Sequence, residues 1–221
     1  MASDLAPAFS FSIPSSVQLV GPSGCGKTTF LEKALRNPQM WDKPIDTLMY
    51  CYGIRTPMVQ KITEIFPQTI LCEDMPRNLE QPLEMFTPEK NNVLIFDDLQ
   101  STTSASPAFT DFLVRGSHHA NVCVISCEHH LFSDAKERRK QANQWQCIIL
   151  FQNKRAAHQI GTLARQTAVG DPKRIVGAYR DAVSSRNWGH LCIDFRNHTR
   201  PEFLLMSNVM CDDGEPTYAY L

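Results

Sequence analysis

The sequence predicts an α/β fold with a mainly parallel central sheet flanked by helices, and three observations carry that expectation. Short apolar, β-branched runs alternate with helical patterns along most of the chain, the signature of βαβ units. A glycine-rich stretch, residues 21–28, sits between such a run and a helical one. A third apolar run, 93–96, ends in the paired carboxylates Asp97 and Asp98.

Taken in order, strands are expected near Ser16–Val20, Thr47–Tyr52, Asn92–Asp97, Val122–Cys127, Cys147–Phe151 and Gly189–Phe195, with a late one near Phe203–Asn208. Helices are expected at Lys27–Arg36, Met58–Ile65, Pro107–Val114, Asp134–Gln144, Ala156–Ala168 and Asp171–Val183. The last has Asp171 as N-cap, Pro172 at the first helical position, and Ile175, Val176, Tyr179, Ala182 and Val183 along one face. The whole chain, 1–221, reads as one domain, with an N-terminal extension at 1–14 and a C-terminal strand and tail at 196–221. Residues 73–91, with three prolines and many charges, are expected to form a mobile insertion.

Composition bounds the function. The 221 residues are 43% hydrophobic and 20% charged, enough apolar content for a full core. Net charge is −1, from 22 basic and 23 acidic residues, so nucleic acid would have to be held by a local patch. The eight cysteines form no C-x-x-C pair and fall mostly in apolar runs, as buried reduced thiols do. Their usage, the absence of a secretory n-region and h-region, and the lack of a bilayer-length apolar run predict a soluble intracellular protein with no membrane partner.

Gly21-Pro22-Ser23-Gly24-Cys25-Gly26-Lys27-Thr28 matches G-x-x-x-x-G-K-[ST] in the strand–loop–helix context the motif requires. Glycines let the backbone curl so that successive N–H groups face phosphate oxygens, and the following helix N-terminus adds partial positive charge. Lys27 is expected to reach the β- and γ-phosphates, Thr28 to ligate Mg²⁺, and Thr29 to complete the nucleotide-binding stretch 21–29. With glycine near 7% of residues, chance alone yields the four fixed positions in roughly one such chain in a hundred. The run 93–98 then reads as a Walker B strand. Asp97 is expected in the Mg²⁺ shell, and Asp98 to orient the attacking water. The implied cofactors are ATP and Mg²⁺.

Other nucleotide enzymes fit less well. Asn153-Lys154 lies where a guanine-reading N-K-x-D would, but Ala156 replaces its aspartate, and Asp97-Asp98-Leu99-Gln100 lacks the glycine of G proteins. No L-S-G-G-Q-like signature precedes the acidic strand. A small-molecule kinase would use the run Lys136-Glu137-Arg138-Arg139-Lys140 as a basic lid, although such runs more commonly form a solvated helix face. Cys123, Cys127 and the histidines at 118, 119, 129 and 130 offer no close-spaced zinc pair, and His118-His119 are expected in a loop.

The stretches VGPSGCGKTTF (20–30), VLIFDDL (93–99), FLVRGSHHANV (112–122), HLF (130–132), LFQN-x-R (150–155) and QIGTLARQ (159–166) resemble the viral DNA-packaging ATPases of the FtsK/HerA class, in the poxvirus-type and Polinton/adintovirus-type branch. The resemblance runs from about residue 15 to 195. It implies a RecA-like, ASCE-type P-loop NTPase working as a homo-oligomeric ring, pentameric or hexameric, that drives double-stranded DNA into a capsid, with a capsid or portal protein as partner. It also implies a polar sensor at the end of the strand after Walker B. There Glu128-His129-His130 replaces the usual T-Q-N, which puts His129 in the sensor glutamine's place. A neighbour's arginine completes each site in such rings, and Arg115 is the first choice, with Arg139 and Arg155 behind it. A nucleotide-gated assembly factor with little turnover is the alternative outside enzymes, motivated by the same 128–130 replacement.

Overall fold

The computed structural model describes residues 4–5, 9–76, 79, 86–132, 136–155, 157–167, 171–185, 187–210 and 216–221. Its strands are β1 (Asp4–Leu5), β2 (Ser15–Val20), β3 (Thr47–Tyr52), β4 (Ile70–Glu73), β5 (Asn92–Asp97), β6 (Val122–Glu128), β7 (Cys147–Phe151), β8 (His190–Asp194), β9 (Leu205–Ser207) and β10 (Tyr218–Ala219). They form one sheet in the order β1-β10-β9-β8-β7-β2-β6-β5-β3-β4. The six strands from β7 to β4 run parallel, while β8, β9, β10 and β1 extend the sheet antiparallel. This is the mainly parallel α/β fold the sequence predicts.

The parallel strands other than the edge strand β4 are buried on both faces, which is why they read as continuous apolar runs. Alternate residues serve opposite layers. Val17, Leu19, Val93, Ile95 and Ile125 pack with Phe30, Leu31 and Ile62 on one side. Leu94, Phe96, Val122, Val124 and Ile148 pack with Phe109, Leu163, Ile175 and Tyr179 on the other. The helices of the first layer are α1 (Lys27–Arg36) and α2 (Pro57–Ile65), the latter capped by the Thr56 hydroxyl. The second layer holds α3 (Gln100–Ala105), α4 (Pro107–Asp111), a π-helical turn (Phe112–Gly116), α5 (Ser117–His119), α6 (Lys136–Gln141), α7 (Ala157–Gln166) and α8 (Pro172–Ser184). Asp171 caps α8 through the Lys173 N–H, as its sequence position implies.

Several expectations need correction. Strand β4 and helix α3 were not expected. The helix predicted over Pro107–Val114 stops at Asp111 and passes into the π-helical turn. His118 and His119 lie in the helical turn α5, not in a loop, because the turn continues that same helical path. Apart from these corrections, Phe9, Phe11 and Ile13 within 1–14 are core residues, and Leu79 and Phe86 within 73–91 are buried. Positions 77–78 and 80–85 of that stretch, the helix starts expected at Asp134 and Ala156, the helix end at Ala168, and Cys211 lie outside the described residues. No described helix is long and apolar enough to cross a membrane.

One feature of strand order positions the site. Strand β6 follows β5 in the chain but lies between β5 and β2. Its carboxyl end therefore falls between residues 21–28 and the Asp97–Asp98 pair, at the edge where α/β sheets bind ligands.

Candidate nucleotide site

The phosphate-loop stretch leaves β2 at Val20 and enters α1 at Lys27. Gly24 and Gly26 have φ of 75° and 105°, a left-handed region closed to most side chains, which is why the curl needs glycine there. The Gly21 N–H donates to the Glu128 carbonyl at 3.0 Å, fastening the loop's first residue to the end of β6. Lys27 is buried, and its ammonium donates to the Gly21 carbonyl at 2.5 Å and the Pro22 carbonyl at 3.2 Å. The first N–H groups of α1 have no intrahelical partner.

A cleft of about 500 Å³ opens beside this loop. Ser23, Gly24, Gly26, Lys27, Thr28 and Thr29 line it from one side, Asp97, Asp98, Cys127 and His129 from another, and Glu32, Thr56, Lys61 and Trp188 at its margins. The structure thus brings Lys27, Thr28, Asp97, Asp98 and His129 into one space. Arg115 is not among the lining residues; it is exposed on the π-helical turn and 3.5 Å from Asp111. Arg139 is exposed on α6, and Arg155 lines an adjoining cavity on the outer side of the loop.

Asp97 is partly buried at the end of β5. Its Oδ2 accepts a 2.5 Å hydrogen bond from the Tyr50 hydroxyl of neighbouring β3. Burial raises its carboxyl above the usual range; the Tyr50 bond and the charge of Lys27 pull it back in part, while Asp98 pushes it up. The Cys127 thiol shares this region and is raised well above its ordinary value, by burial first and then by Asp97. Tyr50 is likewise raised, by burial and then by Asp97. Thr28 and Asp97 present a hydroxyl and a carboxylate to the same cleft, the hard oxygen donors that suit Mg²⁺.

Asp98 adopts a left-handed backbone, φ 58°, which turns its side chain towards β6. There its Oδ1 lies 2.7 Å from Nε2 of His129. The Gln100 side chain fixes the backbone beneath that imidazole. Its Oε1 accepts from the N–H groups of His129 and His130 at 2.9 and 3.2 Å, and its Nε2 donates to the His130 carbonyl at 2.7 Å.

Glu128 is fully buried, and its carboxylate pairs with the guanidinium of Arg138 from α6, with one bond at 2.9 Å from Nη1 to Oε1 and another from Nη2 to Oε2. Gln18 of β2 and Ser126 donate to the same carboxylate at 2.6 and 2.9 Å. Within the run 136–140 this corrects the reading for Arg138 alone, which is 1% exposed and committed to the core; Lys136, Arg139 and Lys140 are exposed on α6, as a solvated face requires. Tyr50, Gln100, Arg138 and Trp188 were missed as site residues. Gln100 directly follows the acidic motif and carried a signal by position; the others are identifiable only from tertiary contacts. Among the described residues no group of three or more histidine, cysteine and carboxylate side chains is arranged to hold a metal on its own.

No protein-family model matches this sequence, and a search of curated proteins finds no match. Solved structures do resemble the fold. The genome packaging NTPase B204 from Sulfolobus turreted icosahedral virus 2, in complex with ATP-gammaS, aligns with a TM-score of 0.53 and 13% identity, covering 84% of this chain and 95% of that one. The DNA-packaging ATPase B204 from Sulfolobus Turreted Icosahedral Virus gives 0.53 at 12% identity, over 86% and 96%. Thermomonospora curvata EccC (ATPases 2 and 3) gives 0.53 at 11%, covering 93% of this chain but 37% of its own. At these identities the likeness is one of fold, the mainly parallel α/β fold of P-loop NTPases.

Proposed function

We propose that this chain is an ATP-hydrolysing motor that moves double-stranded DNA during packaging of a viral or virus-like genome, working as a soluble ring of identical subunits. The observation that carries the reading is the single cleft in which Lys27 and Thr28 face Asp97 and the Asp98–His129 pair. The likeness in fold to packaging NTPases supports the choice of motor over other nucleotide enzymes.

In this reading the loop amides of 21–29 and the N-terminus of α1 hold the triphosphate. Lys27 exchanges or shares its bonds to the Gly21 and Pro22 carbonyls to reach phosphate oxygens, which its three ammonium donors permit. Thr28 and Asp97 hold Mg²⁺, which when bound neutralises charge on the phosphate oxygens. Asp98 takes the proton of the attacking water as general base. His129, 2.7 Å away, orients that carboxylate and senses the end of the triphosphate. Charge developing in the transition state is met by an arginine from the adjacent subunit, for which Arg115 is available by exposure. Arg138 is committed to the core and so is not available to the basic lid that a nucleoside or nucleotide kinase would need.

The test is ATP hydrolysis by assembled protein with and without double-stranded DNA, with Lys27→Ala and Asp98→Asn as controls. A DNA-stimulated rate that both variants lose supports the motor. Wild-type turnover as slow as both variants from about pH 6 to 8.5 refutes catalysis. Retained ATP binding would then leave a nucleotide-gated assembly factor.

A further inference from the structure

Trp188 is 67% exposed, yet its backbone occupies the left-handed region at φ 66°. A bulky residue in that conformation is strained, and a large exposed aromatic ring gains little from folding. The next strand begins two residues later at His190, whose ring packs edge-on against Phe30 of α1 at 5.0 Å and tilted against Phe151 of β7 at 5.6 Å.

That anchoring sets the indole over the turn into α1. A β-carbon placed on Gly26 would meet the indole at 3.2 Å, so the ring lies directly on the phosphate loop's last glycine. Trp188 borders the 500 Å³ phosphate cleft and also a smaller cavity of about 130 Å³ between Gly26, Thr29 and Lys33 at the start of and along α1, and Ser207 and Asn208 at the end of β9. A triphosphate seated at 21–29 would carry its nucleoside out of the cleft past this ring.

We propose that Trp188 is the platform on which the nucleobase stacks, and that it sets a preference for purine nucleoside triphosphates. The inference rests on the nucleotide-binding reading above and adds the base's partner to it. At about 130 Å³ the adjoining cavity is small, so the base lies across the indole instead of being enclosed. Stacking then favours the larger purine ring systems over pyrimidines and separates ATP from GTP only weakly.

The experiment compares equilibrium binding of ATP, GTP, UTP and inorganic tripolyphosphate, each with Mg²⁺, to wild type, Trp188→Ala, Trp188→Phe and Lys27→Ala. Tripolyphosphate keeps the phosphates and lacks the base. The expected result is a loss of roughly 5- to 100-fold in ATP and GTP affinity for Trp188→Ala, with tripolyphosphate unchanged and Trp188→Phe intermediate. In wild type, ATP should also protect tryptophan fluorescence from a soluble quencher where tripolyphosphate does not, because Trp41 and Trp145 are buried. Trp188→Ala binding ATP as tightly as wild type, or losing ATP and tripolyphosphate equally, overturns the platform. Wild type that binds neither ligand, or Lys27→Ala that binds both normally, fails the nucleotide reading instead and removes the platform with it.

Discussion

Replacing Arg138 by Met tests how the carboxyl end of β6 is held. The change keeps much of the side-chain volume and removes the guanidinium, leaving the Glu128 carboxylate with Gln18 and Ser126 as its remaining donors. Glu128 is 0% and Arg138 1% exposed, so this is the case in which loss of one partner strands a buried charge. Breaking such a pair costs about 3–5 kcal/mol, a large part of the roughly 5–15 kcal/mol by which a domain is stable. Urea unfolding should show a lower midpoint at unchanged slope. In a domain of this size the melting temperature should fall by roughly 6–20 °C. Glu128→Gln on the same background removes the stranded charge while keeping an acceptor for Gln18. The double variant should therefore recover about half or more of the loss, since a neutral replacement of a buried pair is often near-neutral in stability. The reasoning is refuted if Arg138→Met lies within about 0.5 kcal/mol of wild type, or if the two losses simply add.

Two further outcomes concern Asp97. Its folded-state carboxyl is raised, chiefly by burial, so folding is favoured while it is protonated and that contribution is lost as pH rises through the raised value. Asp97→Asn should therefore melt higher than wild type at neutral pH while hydrolysis falls by about 100-fold or more; a lower melting temperature at pH 7 would contradict this. Tyr50→Phe removes a hydrogen bond that lowers the Asp97 value. The acid limb of the ATPase pH profile should then move to higher pH, because Asp97 must be ionised to hold Mg²⁺, and an unmoved limb would show that another group sets it.

The legible parts of the fold were those whose signal is local. Strands β2, β3, β5, β6 and β7 are buried on both faces and stand out as apolar runs, and the phosphate loop is marked by the glycines its dihedrals demand. Strand β4 escaped notice because Ile70–Glu73 is a half-exposed edge segment of four residues. Helix α3 has the sequence QSTTSA, rich in residues that compete with helical hydrogen bonding. It is held instead by tertiary contacts such as the 2.9 Å bond from Gln141 to the Thr103 carbonyl. Within the site, Lys27, Thr28, Asp97 and Asp98 were readable from motif spacing. The Arg138–Glu128 pair was not, because one buried arginine inside a basic run looks like its solvated neighbours. Trp188 had no periodic context to mark it; only its contact with Gly26 brings it to the phosphate loop.

The cleft described above takes its walls from positions as distant as Ser23, Asp97, His129 and Trp188, so no contiguous stretch of chain contains it. A ligand bound there grips only a fully assembled sheet, and occupancy becomes a thermodynamic brace for the entire domain. At a hundredfold excess over Kd the reinforcement is about 2.7 kcal/mol. Under the proposed function, each protomer would thus gain and lose this brace once per cycle, loosening as a whole each time product departs.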